Sequence, residues 1–263
     1  MHPNWRKICD DYIRATSYDP AEMEEGWKGR KYDNKNRPPT YLTYPDAKVR
    51  IPLGEPQFTP STDLWKLLRN RRSKRNFLPI PLTFNELNIL LWGTQGITAD
   101  MGDYQLRTTP SSGALYPIET YLLVNRVDGL KQGLYHLDVK GWTLEGLKLE
   151  DVADISYKVS MEQELAKISA VNFVWTAVIE RCRAKYYERA YRYIWWDVGH
   201  IAENLHIVGN AIGLGVCSVG AWYDSEANKY LGIDGVGHFS VLFASVGKVE
   251  GEDWKKDRRP PNK

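Results

Sequence analysis

Apolar positions recur along the chain with changing periods, and each change marks an element. Leu64, Leu67 and Leu68 fall on one helical face of DLWKLLRN, with Ser61 or Thr62 as its N-cap. Thr83 and Glu86 form a capping box ahead of Leu87, Leu90 and Leu91, and Gly93 and Gly96 end this second helix. Ile118 to Val127 and Gly133 to Val139 read as strands, the latter followed by a Lys140–Gly141 turn. Leu149 to Glu164 reads as helix. Asn172 to Glu180 is a continuous apolar, β-branched run, as expected of a strand covered on both faces. Val198, Ile201, Ala202, Leu205, Val208, Gly209 and Ile212 share one face of a long helix that stops at Gly213 and Gly215. A strand over 216–219, a helix over 225–231 and a strand over 239–246 complete the body.

Helices and strands are mixed without regular βα alternation, and no GxGxxG follows a first strand. This predicts an α+β layered fold rather than a doubly wound parallel sheet. Residues 1–58 read as irregular: prolines at 38, 39, 45, 52 and 56 and the charged stretch Glu24 to Arg37 suggest an extended arm. The expected division is therefore an arm over 1–58 and a domain over 59–263.

Composition narrows the class. Of 263 residues, 43% are hydrophobic and 26% charged, which fits a globular protein with a substantial core. The net charge of +2 gives no general attraction to nucleic acid or to an anionic membrane. Cys9, Cys182 and Cys217 are far apart, which argues against a disulfide framework. No apolar run has the length of a signal peptide or a bilayer span, so the expectation is a soluble cytoplasmic protein without a metal site.

Three segments could carry chemistry. RRSKRNF packs cations around a hydroxyl; Arg71, Arg72, Ser73 and Arg75 would suit a phosphate through charge-assisted hydrogen bonds. Read alone, such a run is more often a solvated face than a ligand site. Pro110, Ser111, Ser112 and Gly113 form a turn whose amides and hydroxyls suit the polar edge of a flat heterocycle; they also make an ordinary turn. In GLGVCSVGAW a helix runs through glycines into a strand, and Gly220 permits close backbone approach.

With LLWGTQGIT, RTTPSSGALYPIETYLLV, GLYHLD, KYYERAYRY, DVGHIAENLHIVGNAIGLG and a closing VGK…KKDRR, these segments resemble the FMN-dependent nitroreductase superfamily. More narrowly, the chain is similar to the SagB-type (McbC-like) oxidoreductases. The resemblance implies a nitroreductase-like α+β fold, with a central, mostly antiparallel sheet flanked by helices, in an intertwined homodimer. It implies two FMN sites at the subunit interface. Arg71, Ser73 and Arg75, joined by Arg72, would hold the phosphate and ribityl chain, completed by Lys256 and Arg258. The neighbouring Lys255 and Arg259 leave that register open by one residue. Pro110 to Gly113 would pack on the isoalloxazine from the partner subunit, and Val219, Gly220 and Ala221 would bring a backbone N–H to flavin N5.

Within KYYERAYRY the same resemblance implies that Lys185 and Tyr186 assist proton removal from a thiazoline or oxazoline. Helical spacing puts Lys185 with Arg189 and Glu188 with Arg192, a pattern that a salt-bridged surface also satisfies. A lysine base needs burial or nearby positive charge, for which Arg181, Arg183 and Arg189 are at hand. His200 reads as a helix histidine bonded in the core, and Cys217 as a buried, inert thiol.

The activity expected is hydride transfer between flavin N5 and a small-molecule or peptide-derived substrate, as in azoline-to-azole dehydrogenation. The alternative is NAD(P)H-dependent reduction of a nitro compound or quinone. From another class, the chain would be a non-catalytic flavin-binding or scaffold subunit, favoured by its proline-rich arm.

Overall fold

The computed structural model describes residues 4–18, 36–58 and 63–250. Its centre is a seven-stranded sheet in which all neighbours are antiparallel. The strands are β1 (Val49–Pro52), β4 (Ile118–Val124), β5 (Gly133–Asp138), β6 (Thr143–Lys148), β7 (Val171–Val178), β8 (Leu214–Val219) and β9 (His238–Lys248), in the order β1-β6-β5-β4-β7-β9-β8. A separate hairpin pairs β2 (Ile97–Asp100) with β3 (Gln105–Arg107).

Alternation along β4 divides the core in two. Leu122 and Val124 face α3 (Phe84–Gln95) and α7 (Ala190–Ala211), packing with Leu87, Leu90, Leu91, Ile194, Val198 and Leu205. Tyr121 and Leu123 face the other side, with Val152, Val159, Leu165 and Leu231 from α4 (Ala153–Val159), α5 (Glu164–Ile168), α8 (Asp224–Leu231) and their flanks. Both faces of β4 and β7 are covered, which explains the unbroken apolar runs in those strands. Each fully buried leucine contributes about 1.5–3 kcal/mol, so the two half-cores supply the main driving force.

The arm departs from expectation. Trp5–Ala15 forms α1, and β1 joins the sheet edge against β6. Pro52 is tolerated as the last residue of an edge strand. The helix α2 (Leu64–Asn70) is capped by Asp63, whose carboxylate accepts from Trp65 N at 2.9 Å; Ser61 and Thr62 lie outside the described residues. The Thr83–Glu86 capping box is present, and Gly96 ends α3. Gly93 does not end it. It lies buried inside α3, where an added Cβ would meet Val208 at 2.6 Å, so the glycine sets how closely α3 and α7 approach. The helix expected over 149–164 is two short ones, α4 and α5, broken at Met161 and Glu162, both at positive φ. The β2–β3 hairpin and β6 are additional elements.

A buried polar cluster ties β4, β5 and β6 to α6 (Glu180–Tyr186) and the arm. His136 bridges Glu119 (3.1 Å) and Glu145 (2.9 Å), and Arg181 pairs with Glu119 at 2.5 Å. Tyr44 N donates to both oxygens of Glu145, and Arg181 Nε donates to Pro39 O at 2.5 Å. No helix among the described residues is long and apolar enough to cross a membrane.

Candidate active site

The basic run is laid along the free edge of β8. Ser73 bridges Val216 in parallel, and Lys74 N donates to Val216 O at 3.0 Å. Arg71 Nε lies 3.9 Å from Glu203 of α7. Arg72 turns back to donate to the carbonyls of Arg69 (3.1 Å) and Arg71 (2.6 Å), closing the C-terminal end of α2. Arg75 donates to Ser73 O at 3.2 Å.

Val219 ends the same strand, and Gly220 and Ala221 follow it, both exposed. A Cβ at Gly220 would meet nothing within 4 Å, so that flank is open. The run and this segment are thus about 10 Å apart along one strand. The buried His206 Nε2 meets Ser218 Oγ at 3.1 Å, while Nδ1 has no hydrogen-bond partner among the described residues. Burial and then the charge of Arg71 push this imidazole down to about 4, so it is neutral at pH 7. Lys256 and Arg258, with Lys255 and Arg259, lie outside the described residues.

The Pro110–Gly113 loop is held differently from expectation. Ser111 Oγ donates to Asp197 Oδ2 at 2.6 Å; Ser112 N and Oγ donate to Oδ1 at 3.1 and 3.3 Å. Both hydroxyl protons are therefore committed to Asp197, and towards a ligand the hydroxyls offer only lone pairs. Gly113 (φ 65°), Ala114 (φ 53°) and Tyr116 (φ 45°) lie in the left-handed region. For the two non-glycine residues this costs about 1–3 kcal/mol each. Ser111 Oγ accepts from Tyr116 N (2.9 Å), while Arg107 N donates to Tyr116 Oη (3.0 Å) and Arg181 to Tyr116 O (3.1 Å).

Lys185 and Tyr186 close α6 directly against this loop. A Cβ at Gly113 would lie 2.6 Å from Tyr186 Oη and 3.1 Å from Lys185 Nζ. A side chain there would be strained by the positive φ and would have to displace the ends of Tyr186 and Lys185. The loop and the lysine–tyrosine pair, far apart in sequence, meet at one point.

The continuous helix expected through KYYERAYRY is broken. Tyr187 adopts φ 51°, ψ −137°, and a 3₁₀ turn over 187–189 re-aims the chain before α7. Lys185 and Arg189 therefore lie on opposite sides of the break and do not share a helix face. Glu188 instead accepts from Arg183 at 2.8 Å, and Arg183 also pairs with Glu180 at 2.6 Å. Arg189 donates to Thr16 O (2.9 Å), and Arg192 donates to Thr16 Oγ1 (2.7 Å) and Ile13 O (2.8 Å), binding the C-terminal end of α1. With Arg181 paired to Glu119, the three arginines expected to act on Lys185 are engaged elsewhere. His200 is exposed rather than in the core, whereas Cys217 is buried.

Asp197 and His206 escaped the sequence reading. Asp197 falls one turn from Ile194 and Ile201, on the apolar face of α7, and a carboxylate at that position was the available signal. Beside the loop, a cavity of about 630 Å³ is lined by Arg37, Pro39, Tyr41, Tyr104, Gly113 and Tyr116.

Residues 68–248 match the model of the nitroreductase family, and the chain belongs to that family. A protein of Methanocaldococcus jannaschii named as a nitroreductase is 32% identical over 182 residues, 69% of this chain and 89% of that protein. A nitroreductase structure from Anabaena variabilis matches with a TM-score of 0.68 and 26% identity, over 78% of this chain but only 42% of that one. The Escherichia coli microcin synthetase McbBCD complex, solved with truncated pro-MccB17 bound, contains a chain that matches with a TM-score of 0.63 and 20% identity, over 95% of each chain. An Exiguobacterium sibiricum structure in complex with FMN matches with a TM-score of 0.53 and 13% identity, over 78% and 96%. The last two likenesses are of fold alone.

Proposed function

We propose that this chain, an FMN-dependent oxidoreductase of the nitroreductase family, works as a homodimer that dehydrogenates azoline rings in a peptide-derived substrate. The observation that carries the reading is the meeting of Gly113 with Lys185 and Tyr186. It sets a proton acceptor against the loop that, by resemblance, packs on the flavin.

The residues present fit FMN. Arg71, Ser73 and Arg75, anchored along β8, form a donor set for a phosphate, and the open flank at Gly220 leaves room for a ring near the end of that strand. Bound FMN would supply the two-electron centre that takes up or gives back hydride. Lys185 Nζ would assist removal of the proton from the substrate ring carbon. The phenol of Tyr186, whose ring centre is 5.2 Å from Nζ, would orient that ring and carry the proton onward. The adjoining cavity gives space for the remainder of the substrate.

Dimerisation is supported by an exposed apolar surface. Leu64, Trp65 and Leu68 of α2 and Trp195 and Trp196 of α7 are all 44–75% exposed. Asn210 Nδ2, in the last turn of α7, donates to Leu67 O at 3.0 Å, while the two tryptophans lie near the other end of that helix, so the apolar surface falls in two patches.

The test is anaerobic mixing of the FMN-loaded protein with a thiazoline-containing peptide or with NADPH, followed by flavin absorbance. Bleaching by the thiazoline peptide is expected. Bleaching by NADPH alone, followed by reoxidation with a nitroaromatic or quinone, would replace this reading with the reductase one. Bleaching by neither would leave a flavin-binding subunit.

A further inference from the structure

The loop at Pro110–Gly113 leads into three positive-φ positions, and a backbone so strained keeps its shape only when its surroundings hold it. We propose that Asp197 is the positioning residue that fixes this loop and, through Gly113, the Lys185–Tyr186 pair. The inference rests on the reading of that loop as the flavin-packing element.

The contacts form a continuous path. Oδ2 of Asp197 accepts from Ser111 Oγ at 2.6 Å, and that same hydroxyl accepts from Tyr116 N at 2.9 Å. Oδ1 takes both the amide and the hydroxyl of Ser112. Gly113 then lies beside the ends of the Tyr186 and Lys185 side chains, which a Cβ at that position would meet at 2.6 and 3.1 Å. The Ser112 amide is part of the backbone that leads into Gly113, so its bond to Asp197 sets where Gly113 stands relative to the pair.

Asp197 itself is 2% exposed and its oxygens are taken by loop donors, so it offers no open face to a ligand and acts through the loop. The Cys182 thiol reports the shared neighbourhood. Burial pushes it up to about 12, and of the nearby charges Asp197 raises it further while Lys185 lowers it.

Asp197→Asn preserves shape but turns an N–H towards Ser111, so the hydroxyl must reorient. In the apo-protein, acylation of Lys185 by acetic anhydride, followed by peptide mass spectrometry, is expected to change at least fivefold. In the FMN-loaded protein the FMN dissociation constant is expected to rise about tenfold, with a shifted flavin absorption band. Ser111→Ala should produce the same changes, and the double variant should add little to either single one, because both break one path. Unchanged Lys185 acylation in Asp197→Asn, or strictly additive effects in the double variant, would overturn the proposal. If Asp197→Asn does not fold, Ser111→Ala and Ser112→Ala decide by the same acylation readout. Altered acylation in a protein that takes up no FMN would leave the clamp standing and remove the flavin reading instead.

Discussion

Glu119 and Asp197 are both buried carboxylates, but their surroundings differ in kind. Burial would raise the Glu119 carboxyl, yet Arg181 and His136 overcome it and hold the group down to about 2. Asp197 accepts from the amide and hydroxyls of its loop, with His200 nearby; burial outweighs these, and its carboxyl is pushed above the ordinary aspartate range. The first charge is neutralised by cations and binds arm, sheet and α6 together. The second is hydrogen-bonded by neutral loop donors, and those bonds hold the shape of a strained loop. Buried charge thus serves cohesion at one place and positioning at the other.

The comparison breaks most readily at the compensated charge. Arg181→Met leaves Glu119 with His136 as its remaining close partner and frees the tie to Pro39. It should destabilise the fold by about 3–5 kcal/mol in urea denaturation, and a loss below about 1 kcal/mol would show that the cluster is not cohesive.

Next in size is Lys185→Ala. The protein should keep FMN while proton-coupled oxidation of the azoline falls by about 10²–10⁴-fold. Equal rates in stopped-flow mixing would make Lys185 structural.

The two carboxylates also titrate with opposite sign. The folded pKa of Glu119 lies below its unfolded value, so its contribution is present above about 4.5 and is lost as pH falls towards about 2. That contribution is roughly 3 kcal/mol. Asp197 is raised on folding, so its relative stabilisation is present below the unfolded value and is lost as pH rises through the folded one. Thermal melts of wild type against Asp197→Asn should therefore diverge in favour of the variant as pH rises from acid towards neutral. Parallel curves would contradict the assignment.

The smallest effect concerns α1. Arg192→Ala removes bonds to Ile13, Thr16 and Ser17 and should raise hydrogen exchange across residues 5–15, with FMN affinity changed less than about twofold. Unchanged exchange would mean that α1 is held by other contacts.

Much of the scaffold was legible because its signals are local. The capping box at Thr83, the apolar run in β7 and the one-sided stripe of α7 each follow from periodicity. What could not be read depends on distant partners. Tyr187 breaks a helix without glycine or proline, because Arg183 pulls Glu188 back while Arg189 and Arg192 reach for α1. Pro110–Gly113 looked like an exposed turn with hydroxyls to spare, since nothing near it in sequence announces Asp197, 84 residues beyond Gly113. The meeting of Gly113 with Lys185 arises in the same way, from β4, β7 and α6 folding the chain back on itself.

The most direct measurement follows Lys185 acylation as the apo-protein is titrated with FMN. If the flavin ring binds where the loop and the lysine–tyrosine pair meet, protection of Lys185 should rise in proportion to bound FMN, while exposed lysines such as Lys140 stay unaffected. Saturating FMN that leaves Lys185 as reactive as before would contradict the account, because the pair would then lie away from the chemistry assigned to it.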